Sequence, residues 1–534
     1  MSQIDVCNLT FCYEGSFDNI FENVSFSVDT DWKLGFIGRN GKGKTTFLHL
    51  LLGKNAYEGA IRSSAVFDYF PYQLPPGAMQ QSAAEFYEQL KAEAEWWKII
   101  CELEKLQTDA EVLYRPFGTL SHGERTKVML AILFSGENDF LLIDEPTNHL
   151  DQDSREIVKA YLAKKKGFIL VSHDRDLLDA CVDHVLVLNR CTIEVQQGNF
   201  SSWWENKTRM DAFYEAENEK HRREISKLQQ AAGRTRKWAD QNEKTKIGFD
   251  PRKEPDRCIG TRAYIGAKTK KMQSRVKQIE NRISREIEEK EGLLKDIEHP
   301  AELKLMPLRH HKDMLVLADD FGLRYTGADH DIFAHLHMEL RQGERVFLCG
   351  SNGCGKSSLM KAILRSIYGH TAETKKTAGS AQEIQKLFSD QRAVLETGML
   401  KTASGLSVSY VSQDTSFLKG SISEFCKNRR LEESLFCALL RQLDLERVQF
   451  AKDLEEFSEG QKKKVLLAAS LMTPAHLYIW DEPLNYIDVF SRMQIEKLIL
   501  NYGPTMLVAE HDAKFREKIA TQEVIFQSRQ PAAL

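Results

Sequence analysis

Gly38-Arg39-Asn40-Gly41-Lys42-Gly43-Lys44-Thr45 follows the apolar run Lys33-Leu34-Gly35-Phe36-Ile37 and leads into the helical stretch Thr46 to Leu52. The octad fits G-x-x-x-x-G-K-[ST], and the strand before it and helix after it are the setting in which that pattern cradles phosphate. Gly38, Gly41 and Gly43 let the chain curl so that successive N–H groups point inward, and the helix N-terminus adds its positive dipole end. Lys44 then faces the β- and γ-phosphates, Thr45 offers a hydroxyl to Mg²⁺, and Asn40 and Thr46 complete the candidate nucleotide-binding set. The same series recurs far downstream. Arg345-Val346-Phe347-Leu348-Cys349 runs into Gly350-Ser351-Asn352-Gly353-Cys354-Gly355-Lys356-Ser357 and the helical Ser358 to Leu364. Gly350, Asn352, Gly353, Gly355, Lys356, Ser357 and Ser358 are its nucleotide-binding candidates.

Outward from each loop lies a second signal. Phe140-Leu141-Leu142-Ile143-Asp144-Glu145-Pro146 and Leu477-Tyr478-Ile479-Trp480-Asp481-Glu482-Pro483 are apolar strands ending in two acids. Carboxylates at the C-terminal end of a buried strand stand at the mouth of a parallel sheet, where ligands bind. Asp144 and Asp481 are candidates to hold Mg²⁺. Glu145 and Glu482 are candidates to orient or deprotonate the water that attacks a γ-phosphate.

Two such series need two cores, which 534 residues provide. A hydrophobic fraction of 42% with 28% charged residues is that of a soluble globular chain. No run approaches the roughly 18 apolar residues of a membrane span. The start, Met-Ser-Gln-Ile-Asp-Val, has neither the basic nor the apolar region of a signal peptide, so a cytoplasmic location is expected. Ten cysteines without a Cys-x-x-Cys pair read as free thiols; Cys349 and Cys354, beside the second loop, read as small packing residues. The net charge of −4 excludes any argument for a nucleic-acid partner from global charge.

Just before each acidic strand stand Leu120-Ser121-His122-Gly123-Glu124 and Phe457-Ser458-Glu459-Gly460-Gln461. These resemble the LSGGQ signature of ABC ATPases. The resemblance extends to Gln73 and Gln413 at the Q-loop, which also approaches the metal. It extends to His173 and His511 in Val171-Ser172-His173-Asp174 and Ala509-Glu510-His511-Asp512 at the H-switch, and to Tyr13 and Tyr325 where an aromatic stacks on adenine. It implies an α/β fold with two tandem ABC-type nucleotide-binding domains. Each has a P-loop core, an antiparallel β subdomain and an α-helical subdomain, and ATP and Mg²⁺ bind between the domains in a monomer whose two domains sandwich them. Ser121, Gly123 and Glu124, and likewise Ser458, Gly460 and Gln461, would each close over ATP held by the opposite domain. His122 and Glu459 replace the first glycine of the signature. The charge of Glu459 predicts that the site it completes is slower or specialised.

Asp144-Glu145-Pro146-Thr147-Asn148-His149-Leu150-Asp151 is typical of the ABC-F family, whose members mostly act on ribosomes. Asp481-Glu482-Pro483-Leu484-Asn485-Tyr486-Ile487-Asp488, followed by Phe490-Ser491-Arg492, is similar to the Lsa-type antibiotic-resistance branch. Tyr114-Arg115-Pro116-Phe117, Gly198-Asn199-Phe200 and His310-His311-Lys312 match that branch as well. Domains are expected over 1–205 and 306–534, joined by a long antiparallel helical hairpin over 206–305. Its helices are read over about Met210 to Asp240 and Ala267 to Ile297. In the second, Val276, Ile279, Ile283, Ile287, Leu294 and Ile297 form a coiled-coil stripe, and Ile225 and Leu228 begin a matching one on the first. The intervening loop, 246–267, lies in a stretch (241–280) holding 11 Lys/Arg against 5 Asp/Glu, and Phe249 and Tyr264 are available to stack on RNA.

The resemblance implies that the ATP-closed protein enters the exit site of the bacterial ribosome. There it would contact large-subunit rRNA and the peptidyl-site tRNA and dislodge antibiotics from the peptidyl transferase centre, with hydrolysis releasing the factor. Lincosamides, streptogramin A compounds and pleuromutilins are the drug classes it suggests. Gln73 to Ser121 spans 48 positions and Gln413 to Ser458 spans 45, too few for the extra arm of housekeeping relatives. Only 23 residues follow His511, too few for a C-terminal coiled-coil domain. An insertion of about 28 residues around Thr371 to Ser404 reads as a surface elaboration. The alternatives are a housekeeping ABC-F translation factor, the soluble motor of a transporter, and an ATP-clamping DNA repair protein.

Overall fold

The computed structural model describes residues 3–13, 19–39, 41–136, 139–148, 150–189, 191–244, 304–327, 330–369, 394–443, 445 and 447–526, with isolated positions 274, 277, 278, 281, 282 and 285. The loop 246–267, the stripe from Val276 to Ile297 and most of the insertion after Thr371 lie outside the described residues, as does Asn40.

The first cassette opens with β1 (Gln3–Phe11), β2 (Phe21–Asp29), β3 (Lys33–Ile37), α1 (Lys44–Leu51), β4 (Glu58–Ser63) and β5 (Val66–Phe70). Helices α2 (Ala83–Leu90), α3 (Trp96–Lys105) and α4 (His122–Leu133) follow. The cassette continues through β6 (Asp139–Asp144), α5 (Gln152–Leu162), β7 (Phe168–Val171), α6 (Arg175–Cys181), β8 (His184–Asn189) and β9 (Thr192–Gln197). The second comprises β10 (Met314–Tyr325), β11 (Phe333–Arg341), β12 (Arg345–Cys349), α8 (Lys356–Gly369), β13 (Val394–Thr402) and β14 (Val408–Val411). After α9 (Ile422–Arg429), α10 (Glu433–Gln442) and α11 (Glu459–Met472) come β15 (Leu477–Asp481), α12 (Val489–Tyr502), β16 (Met506–Ala509), α13 (Ala513–Ile519) and β17 (Gln522–Ile525).

The repeat read in the sequence is a repeat of topology. One core sheet runs β5-β6-β7-β3-β8-β9 and the other β14-β15-β16-β12-β17, so five strands correspond in order. All neighbours are parallel except the β8–β9 pair. Such strands are covered on both faces and read as unbroken apolar runs; β7, β14 and β16 are buried at every position. Each cassette adds a three-stranded antiparallel sheet, β2-β1-β4 or β11-β10-β13. The tandem α/β architecture is therefore as expected.

Among the described residues no helix is long and apolar enough to cross a membrane, and the described cysteines are free. Residues Trp204–Pro300 form a separate unit. It contains most of α7 (Phe200–Lys244), which begins ten residues before the expected Met210. The cause is local: Asn199 Oδ1 accepts the Ser202 N–H at 3.0 Å, a side-chain cap that starts the helix early. Of the expected stripe, Ile225 is buried and Leu228 half-buried.

Candidate active site

Parallel register gathers the candidate residues at one edge of each sheet. Asp144 pairs with Val171 and Phe36 with the same Val171, so the ends of β3, β6 and β7 come level. In the second cassette Asp481 and Leu348 both pair with Ala509. The phosphate loop leaves β3 or β12 at that edge. The acids end β6 or β15, and the candidate histidine stands two residues beyond β7 or β16. Both glutamates leave their strands with positive φ, 50° at Glu145 and 48° at Glu482, where a residue with a Cβ is strained. The turn is pinned by their own N–H groups, which donate to Val171 O and Ala509 O at 2.9 Å in each case.

The phosphate loops are superposable in their contacts. Lys44 Nζ donates to Gly38 O at 2.7 Å and Arg39 O at 3.1 Å; Lys356 Nζ donates to Gly350 O at 2.6 Å and Ser351 O at 3.0 Å. Each ammonium is thereby curled inside its own loop. Gly43 has φ 107° and Gly355 φ 105°, and a Cβ would lie 2.4 Å from Ile20 Cγ2 in one and 2.6 Å from Ile332 Cγ2 in the other, so only glycine fits. Thr45 Oγ1 donates to Asp144 Oδ2 at 2.8 Å, and Tyr69 OH reaches the same oxygen at 3.2 Å. The tyrosines upstream are joined to the loops: Tyr13 OH to Thr46 Oγ1 at 2.8 Å, and Tyr325 OH to Ser358 Oγ at 3.0 Å.

Burial dominates the electrostatics. It raises Asp144 and Asp481 above the usual carboxylate range, against hydrogen bonds from Thr45 and Ser357 respectively. Burial, then the neighbouring Asp144, pushes Glu145 up to about 8. Glu482 is raised by burial and Asp481. Burial and Lys356 push His511 down to about 3; burial and Lys44 push His173 well below its ordinary value. Both imidazoles are therefore neutral near pH 7. Asp481 Oδ1 and His511 Nε2 are buried without a hydrogen-bond partner among the described residues, although His511 Nε2 lies 3.8 Å from Glu482 Oε1. A carboxylate oxygen beside a Ser hydroxyl suits a hard cation, and a neutral imidazole facing a lysine-bearing loop suits a phosphate oxygen. The residues present thus fit Mg²⁺ and a nucleotide.

Each signature serine caps its helix. Ser121 Oγ accepts the Glu124 N–H at 3.2 Å while Glu124 Oε2 accepts the Ser121 N–H at 2.8 Å; Ser458 and Gln461 repeat the box at 3.3 and 3.0 Å. Gly460 is packed so closely that a Cβ would lie 2.8 Å from Tyr486 Cβ. Glu459 is held by Thr415, whose hydroxyl donates to Oε2, and by Lys462 at 3.4 Å. The charge expected to face phosphate is thus partly engaged within its own cassette.

The cassettes meet head to tail. Asp151 of the first accepts a backbone hydrogen bond from Asn352 in the second phosphate loop. Asp488 and Lys464 of the second act electrostatically on Lys44, and Lys464 also acts on His173. Arg175 makes a two-pronged ion pair with Glu496, one contact being Nη1 to Oε2 at 3.2 Å, and its other nitrogen lies 4.0 Å from Asp512. Lys514 pairs with Asp179, and Arg516 Nη1 donates to Gln152 Oε1 at 3.0 Å.

The candidates are not all engaged alike. Gln413 Nε2 donates to Glu482 Oε2 at 3.0 Å, whereas Gln73 is exposed and has no such contact with Glu145 among the described hydrogen bonds. Residues without a role in the sequence reading prove central: Asp151, Asp488, Arg492, Lys463 and Tyr69. Asp151, Asp488 and Arg492 stood within stretches that carried the family resemblance without being given roles, whereas Lys463 and Tyr69 had no signal beyond lying close to a motif.

The chain matches the ABC transporter family over residues 21–148 and 333–485, more than half its length. It is 26% identical over 518 residues to ribosome protection protein VmlR of Bacillus subtilis, covering 97% of this chain and 85% of that protein. It is 26% identical over 512 residues to erythromycin resistance ATP-binding protein MsrA of Staphylococcus epidermidis, covering 92% and 91%. The archaeal ribosome recycling factor aABCE1, solved with ribosomal stalk protein aP1, shares the fold with a TM-score of 0.58, 17% identity and coverage of 98% and 88%. Two phosphate loops, each with its acids and its histidine, are what that family uses to bind and cleave ATP, and the chain belongs to the ABC transporter family as an ATP hydrolase with two nucleotide-binding domains.

Proposed function

We propose that this chain is an ABC-F ATPase that protects bacterial ribosomes from antibiotics. In the ATP-bound closed state it binds the exit site of the ribosome, contacts large-subunit rRNA and the peptidyl-site tRNA, and dislodges drugs from the peptidyl transferase centre. Lincosamides, streptogramin A compounds and pleuromutilins are the drug classes proposed. It works as a cytoplasmic monomer. Its domains are assigned as 1–205 and 306–534, with residues 206–305 as the ribosome-contacting hairpin.

The observation that carries this reading is the pairing of two head-to-tail cassettes within one chain, supported by relatives named for ribosome protection and erythromycin resistance along nearly its whole length. ATP adds its binding energy to the closed arrangement alone, so it shifts the open–closed equilibrium by its differential affinity for the two states.

Within each site Lys44 or Lys356 neutralises the β- and γ-phosphates, and the N–H groups of the loop and of the α1 or α8 N-terminus hold them. Thr45, Asp144 and Gln73 in the first site, and Ser357, Asp481 and Gln413 in the second, would hold Mg²⁺, whose charge would offset that of the phosphates. Tyr13 and Tyr325 stack on adenine. Glu145 and Glu482 orient the attacking water, while neutral His173 and His511 face the γ-phosphate. Ser458, Gly460 and Gln461 close the first site, and Ser121, Gly123 and Glu124 the second.

The test is co-sedimentation of a Glu145→Gln/Glu482→Gln variant with bacterial ribosomes. It should pellet with ATP and remain in the supernatant with ADP. Release of a bound radiolabelled lincosamide from those ribosomes would establish protection. A variant that stays soluble under both nucleotides would overturn the ribosome reading and leave the ATPase intact.

A further inference from the structure

The two ATP sites contain corresponding parts but do not hold them equally. In the second cassette, buried Lys463 donates to the carbonyls of Ser412, Asp481 and Glu482 at 2.9, 3.3 and 3.4 Å. Gln413 Nε2 and Asn485 Nδ2 both donate to Glu482 Oε2, at 3.0 and 2.9 Å. Two residues beyond Glu482, the Leu484 peptide is gripped on both sides. Its N–H donates to Glu510 Oε2 at 3.1 Å, and its carbonyl accepts from Arg492 Nη2 at 3.0 Å. The other oxygen of Glu510 accepts the His511 N–H at 2.7 Å. One buried carboxylate therefore spans the loop of Glu482 and the loop of His511.

The first cassette has Thr126 and Ser172 where the second has Lys463 and Glu510. Ser172 Oγ accepts the Asp174 N–H at 3.1 Å, a contact confined to its own loop. Glu145 contacts His173 itself, with Oε2 3.4 Å from the backbone N and Oε1 3.3 Å from Nε2. A hydroxyl can cap one N–H; only a carboxylate offers two oxygens to donors on separate loops. An ionised group so buried is costly unless its partners are fixed, and Arg492, bonded to Leu484, Ile487 and Asp512, supplies the fixed countercharge.

We propose that Glu510 is a positioning residue of the second ATP site: it sets the spacing between Glu482 and His511, so that this site is preassembled and hydrolyses ATP faster than the first. The inference rests on the assignment of Glu482 and His511 as the hydrolytic pair made above. It runs in the same order as the expectation from Glu459, since the Glu459-bearing signature faces the first site, but it locates the cause within the second site itself.

Single-turnover hydrolysis by the full chain isolates each site: the second in a Glu145→Gln background, the first in a Glu482→Gln background. The Glu145→Gln protein should be the faster. Adding Glu510→Ala should slow it about ten- to a hundredfold at saturating ATP, the loss that matches one hydrogen bond to a charged group at 1.36 kcal/mol per tenfold. The ATP concentration for half-maximal rate should not move, and the first-site rate should stay within about twofold. Glu510→Gln, which keeps the shape and one acceptor oxygen, should restore part of the rate. Equal slowing in both backgrounds, no slowing in either, or a change confined to the half-maximal concentration would overturn the proposal. If the Glu145→Gln/Glu482→Gln protein still hydrolyses ATP, the assignment of Glu482 fails first and takes this inference with it.

Discussion

Arg175 and Glu496 come from different cassettes, 321 positions apart, and their side chains are only 3% and 5% exposed. Arg175→Ala leaves a buried carboxylate without its main partner, a change that costs about 3–5 kcal/mol where no other group compensates. Here Lys518 Nζ stays 3.2 Å from Glu496 Oε2 but is half exposed, and Arg175 keeps only a 4.0 Å approach to Asp512. The lower end, about 3 kcal/mol, is therefore expected for either single substitution, with a coupling energy of about 2 kcal/mol between them. The loss should fall on the contact between cassettes rather than on either core. Calorimetry of Arg175→Ala, Glu496→Ala and the double variant should show one thermal transition separating into two, with the double variant little worse than the singles. Single-variant losses that add to within about 0.5 kcal/mol would refute the reasoning, because residues in contact do not behave independently.

Glu102 accepts from Tyr161 OH at 2.6 Å, Lys165 Nζ at 2.5 Å and Lys105 Nζ at 2.9 Å. Burial pushes its pKa up, but those hydrogen bonds outweigh it and leave the group below its ordinary value. Its stabilisation is therefore complete above the unfolded value of about 4.3 and is lost as pH falls through the lower folded value. Glu102→Ala should cost about 2–3 kcal/mol at pH 7, since Tyr161 OH and Lys165 are left without it. Urea titrations at pH 7 and pH 3 should show that difference shrinking at the acid end; a pH-independent difference would contradict the assignment. Gly460→Ala drives a methyl group against Tyr486 and should destabilise the second cassette by about 1–3 kcal/mol while weakening ATP-induced closure. A thermal scan and a nucleotide-trapping assay check both halves, and an unchanged melting temperature would mean that Tyr486 yields without cost.

Much of the site was legible because its parts are local. A strand, a glycine-rich turn and a helix follow one another within about twenty residues of Lys33 and again of Arg345, and each phosphate loop forms where its spacing placed it. Asp144 and His173 could be placed at one sheet edge because parallel strands bring their C-terminal ends level. Contacts across the chain had no such handle. Lys463 stands in a run of three lysines that reads as a solvated helix face, yet only 4% of it is exposed, because α11 turns that position toward β14 and β15. Glu510 was visible as the counterpart of Ser172, but nothing in the local pattern says that Leu484 lies within its reach. Gln73 and Gln413 look interchangeable as letters; the first site spends an extra residue, Pro71-Tyr72 against Ser412, between strand and glutamine, and its side chain ends in solvent.

The contacts between cassettes also carry a pairing code. Arg175 of α6 corresponds to Ala513 of α13, and Glu496 of α12 corresponds to Lys159 of α5. Two first cassettes brought together in the same way would set Arg175 against Lys159 and Asp179 against Asp176, like charge against like. Two second cassettes would leave Glu496 facing Ala513, a buried carboxylate with no cation opposite. Only the mixed pair satisfies both positions, and like-charge contacts penalise the alternatives. A duplicated domain is open to promiscuous assembly, in which halves of different molecules exchange partners and string together. Divergence in charge at three positions (Lys159 against Glu496, Arg175 against Ala513, Asp176 against Lys514) gives each half a complementary identity, so that a newly made chain finds its match in itself.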